Sequence, residues 1–335
     1  MNEKQLISIV VPVFNESEVI DVFYQRCKSV FNFLESFNYE IIFVDDGSKD
    51  DSYAKMIRLA DSDQNVKIIK FSRNFGHQIA ITAGMDFASG DAVVIIDADL
   101  QDPPEVMKDF IMKWEEGYDV VYGVRETREG ENRMKLLTAS VFYRILKAFT
   151  RIDIPVDTGD FRLLSKKAVS HLRELREHDR FVRGLVSWIG FKQTAVHYHR
   201  DKRYAGETKY PYRKMVKFAL DGITSFSSVP LKLATILGYI TSIFAFIYAC
   251  TVFIQKALGI TVQGWATIMV GMLFIGGVQL ICLGIIGEYI ARIFNQTKKR
   301  PMYIVDEVYS RAGKTNDSFS EYQINDGRKF SIKTL

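Results

Sequence analysis

Asp97-Ala98-Asp99-Leu100-Gln101 is the stretch of this chain best equipped for chemistry: two carboxylates separated by one small residue, with an amide two places on. It follows Val93-Val-Ile-Ile96, four β-favouring apolar residues after a Gly-Asp turn, which predicts a buried strand. Side chains on a strand alternate faces, so Asp97, Asp99 and Gln101 are expected to share one. Their oxygens would then reach a single hard divalent cation. Mg²⁺ and Mn²⁺ favour such ligands and complete their shells with water and substrate phosphates. A polar loop capping the next helix is the plainer alternative, but the end of a buried strand is where open α/β sheets bind ligands.

A sheet must hold that segment in place. Ile7–Val13, Glu40–Val44, Val66–Phe71, Ala92–Ile96 and Asp119–Tyr122 read as strands, with amphipathic segments near 17–36, 50–62, 77–88 and 104–116 between them. Such alternation predicts an α/β fold, a Rossmann-like, mainly parallel sheet with helices on both faces. Three loops should then gather at its carboxyl edge: Pro12-Val-Phe-Asn-Glu16, Val44-Asp-Asp-Gly-Ser48 and Asp97–Gln101. Asp46 could accept hydrogen bonds from a base or ribose. Helix capping explains Asn15, Ser48 and Asp50 as well as ligand binding does. Neither a Gly-x-Gly-x-x-Gly nor a Gly-Lys-Ser/Thr pattern occurs in these loops, which argues against a dinucleotide dehydrogenase and a P-loop NTPase. A nucleotide whose diphosphate sits on a metal would fit.

Composition narrows the class. The 335 residues are 47% hydrophobic with a net charge of +4, which gives no reason to expect nucleic acid. Cys27, Cys250 and Cys282 show no paired or metal-ligand spacing and read as reduced, packed residues. The N-terminus runs straight into a strand-like segment without an apolar leader, so the first half is expected in the cytosol.

A sharp change comes near residue 229. Leu233–Ile254 carries no charge, and Trp265–Gly287 has only Gln279 as a strongly polar residue. Each is long enough, at roughly 33 Å as a helix, to cross a hydrocarbon core of about 30 Å. Arg213, Lys214, Lys217 and Lys232 precede the pair, and Arg292, Lys298, Lys299 and Arg300 follow it. The positive-inside rule puts both flanks in the cytoplasm and the connector 255–264 outside. The expected organisation is a cytosolic domain over 1–228, a two-helix transmembrane hairpin within 229–292, and a cytosolic segment over 293–335 that begins strand-like at Met302-Tyr-Ile-Val305 and ends mobile.

Pro-Val-Phe-Asn-Glu, Val-Asp-Asp-Gly-Ser and Asp-Ala-Asp-Leu-Gln-Asp-Pro-Pro-Glu, in this order and at these separations, resemble the family-two glycosyltransferases, and more narrowly their polyprenyl-phosphate branch. The resemblance covers about residues 5–300. It implies a GT-A fold and a nucleotide-diphosphate-sugar donor. Pro12, Phe14, Glu16, Val44 and Asp46 would hold the nucleotide; Asp97, Ala98, Asp99 and Gln101 would meet the metal and diphosphate, with Mg²⁺ or Mn²⁺ as cofactor. Arg203-Tyr-Ala-Gly-Glu-Thr-Lys209 resembles the family's Arg…Gly-Glu-Ser-Lys segment, with Thr for Ser, and gives Arg203 and Lys209 a role on the diphosphate.

Residues 122–151 are rich in Arg and Lys and turn amphipathic from 133, which suits a helix in the headgroup layer or one packed on the sheet. An acceptor phosphate needs guanidinium groups, which match it bidentately. Arg125 begins the family's acceptor segment, and Arg128, Arg133 and Ser140 are taken with it. Asp157-Thr-Gly-Asp160-Phe-Arg162 resembles the acidic segment that follows, so Asp157 and Asp160 jointly are the candidates for a general base; either could instead cap a helix starting near Ser165. His77 is read as structural, and Glu288 as the partner of Arg292 one turn on.

The resulting expectation is an inverting, metal-dependent hexosyltransferase at the cytoplasmic face of the cell membrane. It would move glucose from a UDP-sugar to undecaprenyl phosphate, with UDP-N-acetylglucosamine and GDP-mannose as further donors and a homo-oligomer as a further expectation. A processive polysaccharide synthase is disfavoured by the two spans and the missing Gln-x-x-Arg-Trp segment. A non-catalytic lipid-sugar transporter subunit is disfavoured by the metal-diphosphate residues.

Overall fold

The computed structural model describes residues 4–125, 158–178, 180–199, 229–259, 264–311 and 313–315. They form two units: the described residues up to His199 together with those from Pro301 onward, and those from Val229 to Arg300.

The first unit alternates strands and helices: β1 Gln5–Val13, α1 Ile20–Phe33, β2 Phe37–Asp45, α2 Ser52–Ser62, β3 Val66–Phe71, α3 His77–Phe87, β4 Ala92–Ile95, a 3₁₀ turn at Pro104–Val106 leading into α4 Met107–Glu115, and β5 Val120–Arg125. After residue 157 come β6 Thr158–Ser165, α5 Lys166–Glu174, α6 Val182–Trp188 and β7 Gln193–Tyr198. Among the described residues the sheet has nine strands in the order β7-β5-β6-β4-β1-β2-β3-β8-β9. The central β4-β1-β2-β3 set is parallel. β6 lies antiparallel between β4 and β5, pairing Ile95 with Arg162.

The apolar strand runs explain the layers. β1 is buried on both faces. Ile7, Ile9 and Val11 join a core with Phe23 and Cys27 of α1 and Phe110 of α4. Val10 points the other way, against Gly84 of α3. Phe23 meets Phe43 edge-on, ring centres 6.3 Å apart, and burying each such ring is worth about 1.5–3 kcal/mol.

The segment after 300 departs from the expected separate tail. Strand β8, Val305–Ser310, begins where the anticipated strand ended, and it pairs antiparallel with β3 and with the short β9, Gly313–Thr315. Tyr303 just before it stacks on Phe71 at 5.2 Å and donates its hydroxyl to Asp86 at 2.8 Å. The expected mobile end, 316–335, lies outside the described residues.

The second unit holds α7 Val229–Ala257 and α8 Trp265–Thr297, both long and apolar enough to cross a membrane. They are longer than the apolar runs alone, because α8 continues through Glu288 and Arg292, which pair at 3.2 Å. Phe244, Phe246, Leu273 and Phe274 present bare apolar surface. Of the cysteines, Cys27 is buried in the sheet unit, Cys282 bonds the carbonyl of Ala234, and Cys250 is exposed on α7; all are free thiols.

Close packing of α3 on the sheet gives a direct test. A Cβ at Gly84 would overlap Val10 Cγ1, so Gly84→Ala should cost about 1–2 kcal/mol and lower the apparent Tm by about 3–6 °C. In a Val10→Ala background, where the Val10 Cγ atoms are gone and the remaining Cβ lies at 3.1 Å, the same change should cost less than half as much. An equal drop in both backgrounds, read by thermal unfolding in detergent, would contradict this packing.

Candidate active site

The first three loops at the carboxyl edge are tied to one another by their own polar side chains. Asn15, at φ 55, receives Lys49 N–H on Oδ1 at 2.8 Å and gives its own N–H to Ser48 Oγ at 3.0 Å. Glu16 N–H reaches Ser52 Oγ at 2.9 Å, and Ser17 N–H reaches Asp50 Oδ2 at 3.1 Å. The residues that looked like helix caps or ligand contacts therefore link the β1–α1 and β2–α2 loops. Gly47 has φ 73, and a Cβ there would lie 2.8 Å from the Arg73–Asn74 backbone, so glycine is required where the third loop crosses. Asp46 is buried and accepts Phe75 N–H at 2.6 Å and Gly76 N–H at 3.0 Å, which fixes the entry to α3. Pro12 and Val44 are cross-strand partners inside the sheet, whereas Phe14 is 45% exposed beside them. Glu16 is half-buried.

Strand β4 stops at Ile95, two residues short of Asp97. The expected shared face of a strand is thus replaced by a turn, with Leu100 at φ 58 and Gln101 N–H donated to Asp99 Oδ1 at 3.1 Å. A left-handed conformation at a leucine is uncommon and marks a locally strained turn. Ala98 is buried beneath it. The turn keeps Asp97 and Asp99 close enough for their charges to interact. Asp97 Oδ1 is buried and accepts no hydrogen bond; His77 Nε2 stands 3.5 Å from it. Burial pushes the Asp97 carboxyl up to about 6, with His77 opposing and Asp160, Asp102 and Asp99 adding to the rise.

Asp160 comes from β6 and lies buried among cations. Arg183 of α6 grips it with two bonds, Nε to Oδ1 at 2.8 Å and an Nη to Oδ2 at 3.2 Å. Gln78 donates to Oδ2 at 3.1 Å, and His77 Nε2 lies 3.2 Å from the same oxygen. Although burial raises its pKa, Arg183 and His77 outweigh that and hold the carboxyl well below the usual range. The same contacts act on His77: burial opposes its charge, but Asp97 and Asp160 prevail and push it up to about 9. Arg162, buried alongside, donates to the carbonyls of Gly159 and Asp160, and burial brings it down to about 10. An ionised carboxylate so committed is a weak base and a strong anchor.

Arg125 ends β5 and is 28% exposed. It donates to Asp102 Oδ2 at 3.2 Å and to the Tyr198 hydroxyl at 3.3 Å, while that hydroxyl donates to Asp102 Oδ1 at 2.5 Å. A Cβ at Gly159 would stand 2.6 Å from the Arg125 guanidinium, which therefore lies against that glycine. Asp102, Tyr198, Gln78 and Arg183 are site residues that sequence reasoning missed; only Asp102 carried a signal, its place in the Asp-rich run. Asp157, Arg128, Arg133, Ser140, Arg203 and Lys209 lie outside the described residues.

Among the described residues no three His, Cys, Asp or Glu side chains converge as a protein-only metal cage. Mg²⁺ and Mn²⁺ need no such cage, since one or two carboxylates with substrate phosphates and water suffice. The unbonded, buried Asp97 oxygen beside Asp99 fits that ligand set.

Residues 8–173 match the family model described as glycosyl transferase family 2, and residues 229–293 match that of the GtrB C-terminal hairpin. The chain is similar to the uncharacterized glycosyltransferase YkcC of Bacillus subtilis, 55% identical over 90% of this chain and 94% of the relative. It is 43% identical to the prophage bactoprenol glucosyl transferase homolog of Escherichia coli, over 90% of this chain and 99% of that one. The bactoprenol glucosyl transferase of Shigella phage SfV is also 43% identical, over 89% and 97%.

Because Asp160 is held below its ordinary value, its stabilising contribution is complete above the unfolded value of about 4 and vanishes as pH falls through the folded one. Asp160→Asn should therefore cost about 3 kcal/mol at pH 7. The gap to the parent should stay constant down to about pH 5 and narrow progressively below about pH 4. Denaturant titrations across this range decide it; a gap that appears only above pH 6 would contradict the assigned ionisation.

Proposed function

The chain belongs to glycosyl transferase family 2, with the GT-A fold and a GtrB-type C-terminal hairpin, and from that premise we propose that it glycosylates a polyprenyl phosphate at the cytoplasmic face of the cell membrane. The donor in this reading is a UDP-hexose, with UDP-glucose first because relatives of 43% identity are named bactoprenol glucosyl transferases. One structural observation carries the metal part: a buried, unbonded Asp97 oxygen at the end of a central strand, next to Asp99.

In the proposed reaction an oxygen of the lipid phosphate attacks the anomeric carbon. The bond from that carbon to the nucleotide diphosphate breaks on the opposite side, giving inversion and free UDP. Bound Mg²⁺ or Mn²⁺ would neutralise charge building on the leaving diphosphate. Asp97, Asp99 and Gln101 would hold it, and Arg203 and Lys209 would add charge to the same phosphates. Pro12, Phe14, Glu16, Val44 and Asp46 form the nucleotide end in this reading, with Ala98 beneath the diphosphate. Arg125, Arg128, Arg133 and Ser140 would receive the lipid phosphate. That phosphate, with a second pKa near 6, is largely dianionic at neutral pH and needs little deprotonation. Asp160, and with it Asp157, therefore serves in this reading to orient groups and balance charge.

Topology supports the membrane assignment. Strand β8 pairs with β3 after the two apolar helices, so the chain re-enters the same folded unit it left. An even number of crossings meets that requirement, and the basic flanks favour the cytoplasm for both ends.

Purified enzyme given undecaprenyl phosphate, Mn²⁺ and a panel of UDP-glucose, UDP-N-acetylglucosamine and GDP-mannose should release nucleoside diphosphate fastest from UDP-glucose. Asp99→Ala should reduce turnover by about 10³-fold with membrane insertion intact. No release from any donor, or an active Asp99→Ala enzyme, would refute the reading.

A further inference from the structure

Nε2 of His77 lies 3.2 Å from Asp160 Oδ2 and 3.5 Å from Asp97 Oδ1. One ring nitrogen cannot make two good hydrogen bonds, and the shorter contact goes to Asp160, leaving Asp97 Oδ1 without one. The neighbouring carboxylates have better partners: Asp102 has Arg125 and Tyr198, and Asp160 has Arg183 and Gln78. Among the described residues, His77 is the basic group within 4 Å of Asp97.

Two features bear on how firmly this contact is held. His77 is the first residue of α3, where the helix dipole disfavours a basic side chain by about 0.3–1 kcal/mol. The carboxylates, not the helix, hold it there. Its side chain is also 43% exposed, so it is not part of the packed core.

We propose that His77 is a positioning residue that stands in for the divalent cation. In the donor-free enzyme its ring stands 3.5 Å from Asp97 Oδ1, as a charge partner and not a hydrogen-bonded one, and from there competes with the metal. When metal arrives with the donor diphosphate, Asp97 passes to the cation and His77 stays on Asp160. Metal loading is thereby made dependent on the nucleotide: the bare ion meets a carboxylate that already faces a basic ring, whereas the diphosphate supplies the extra oxygens and negative charge that favour exchange. The inference rests on the metal-dependent reading given above.

Mn²⁺ binding to the full chain in detergent, followed by electron paramagnetic resonance with and without UDP, tests it apart from activity. Without UDP, His77→Ala and His77→Asn should bind Mn²⁺ about tenfold more tightly than the parent, and His77→Lys, which keeps a cation in place, should stay within about threefold of it. With saturating UDP the difference between the alanine variant and the parent should shrink below about threefold. Asp97→Asn should abolish binding in every background. If Asp97→Asn leaves Mn²⁺ binding untouched, the metal reading itself fails. If Asp97→Asn abolishes binding but neither His77→Ala nor His77→Asn tightens it, the metal site stands and the stand-in is wrong.

Discussion

Four carboxylates, Asp97, Asp99, Asp102 and Asp160, crowd the carboxyl end of β4, and their charges must be shared out before this corner of the protein can fold. At an effective dielectric constant of about 20, two such charges 4 Å apart repel by about 4 kcal/mol. Arg183 answers Asp160, Arg125 answers Asp102, and His77 stands between Asp160 and Asp97. The balance falls short at one place, the Asp97 oxygen, and it is there that a cation would be drawn.

The sheet topology creates this crowding. Because β6 runs antiparallel beside β4 with Ile95 opposite Arg162, continuing the register two residues brings Asp160 level with Asp97. The β5–β7 pairing sets Arg125 opposite Tyr198, and both then meet Asp102. A single inserted strand therefore joins the parallel half of the sheet, with its Asp97–Asp99 turn, to the Arg125–Asp102–Tyr198 cluster. In the proposed reading, tethering to the membrane would complement this arrangement, since a lipid acceptor that never leaves the bilayer would be met at high effective concentration by an anchored enzyme.

Much of the scaffold was legible because it rests on local pattern. The parallel strands, the helices between them and the two apolar spans follow directly from period-two and period-3.6 burial and from length. The Asp97/Asp99 pair was also legible, but for a different reason than the one that applies: a left-handed turn at Leu100, not strand alternation, holds them together. Strand β6 was hidden because its buried residues include Thr158, Asp160, Arg162 and Ser165, so its sequence reads as a polar loop before a helix. Ser165, not Asp160, caps that helix, accepting Ala168 N–H at 3.2 Å. The role of His77 was hidden for the same cause. A lone histidine carries no signal until the partner strand places Asp160 beside it, and Arg183 and Tyr198 arrive from elements still farther along the chain. Strand β8 was half-visible, its pairing with β3 being a contact between residues separated in sequence by both long apolar helices.

The most direct measurement of the central claim is an experimental structure of the detergent-solubilised enzyme with UDP and Mn²⁺. The account predicts Mn²⁺ bridging the nucleotide diphosphate to the Asp97–Asp99 turn, with the Asp160–Arg183 pair intact behind it. UDP and metal bound in another crevice, with Asp97 still against His77, would contradict it.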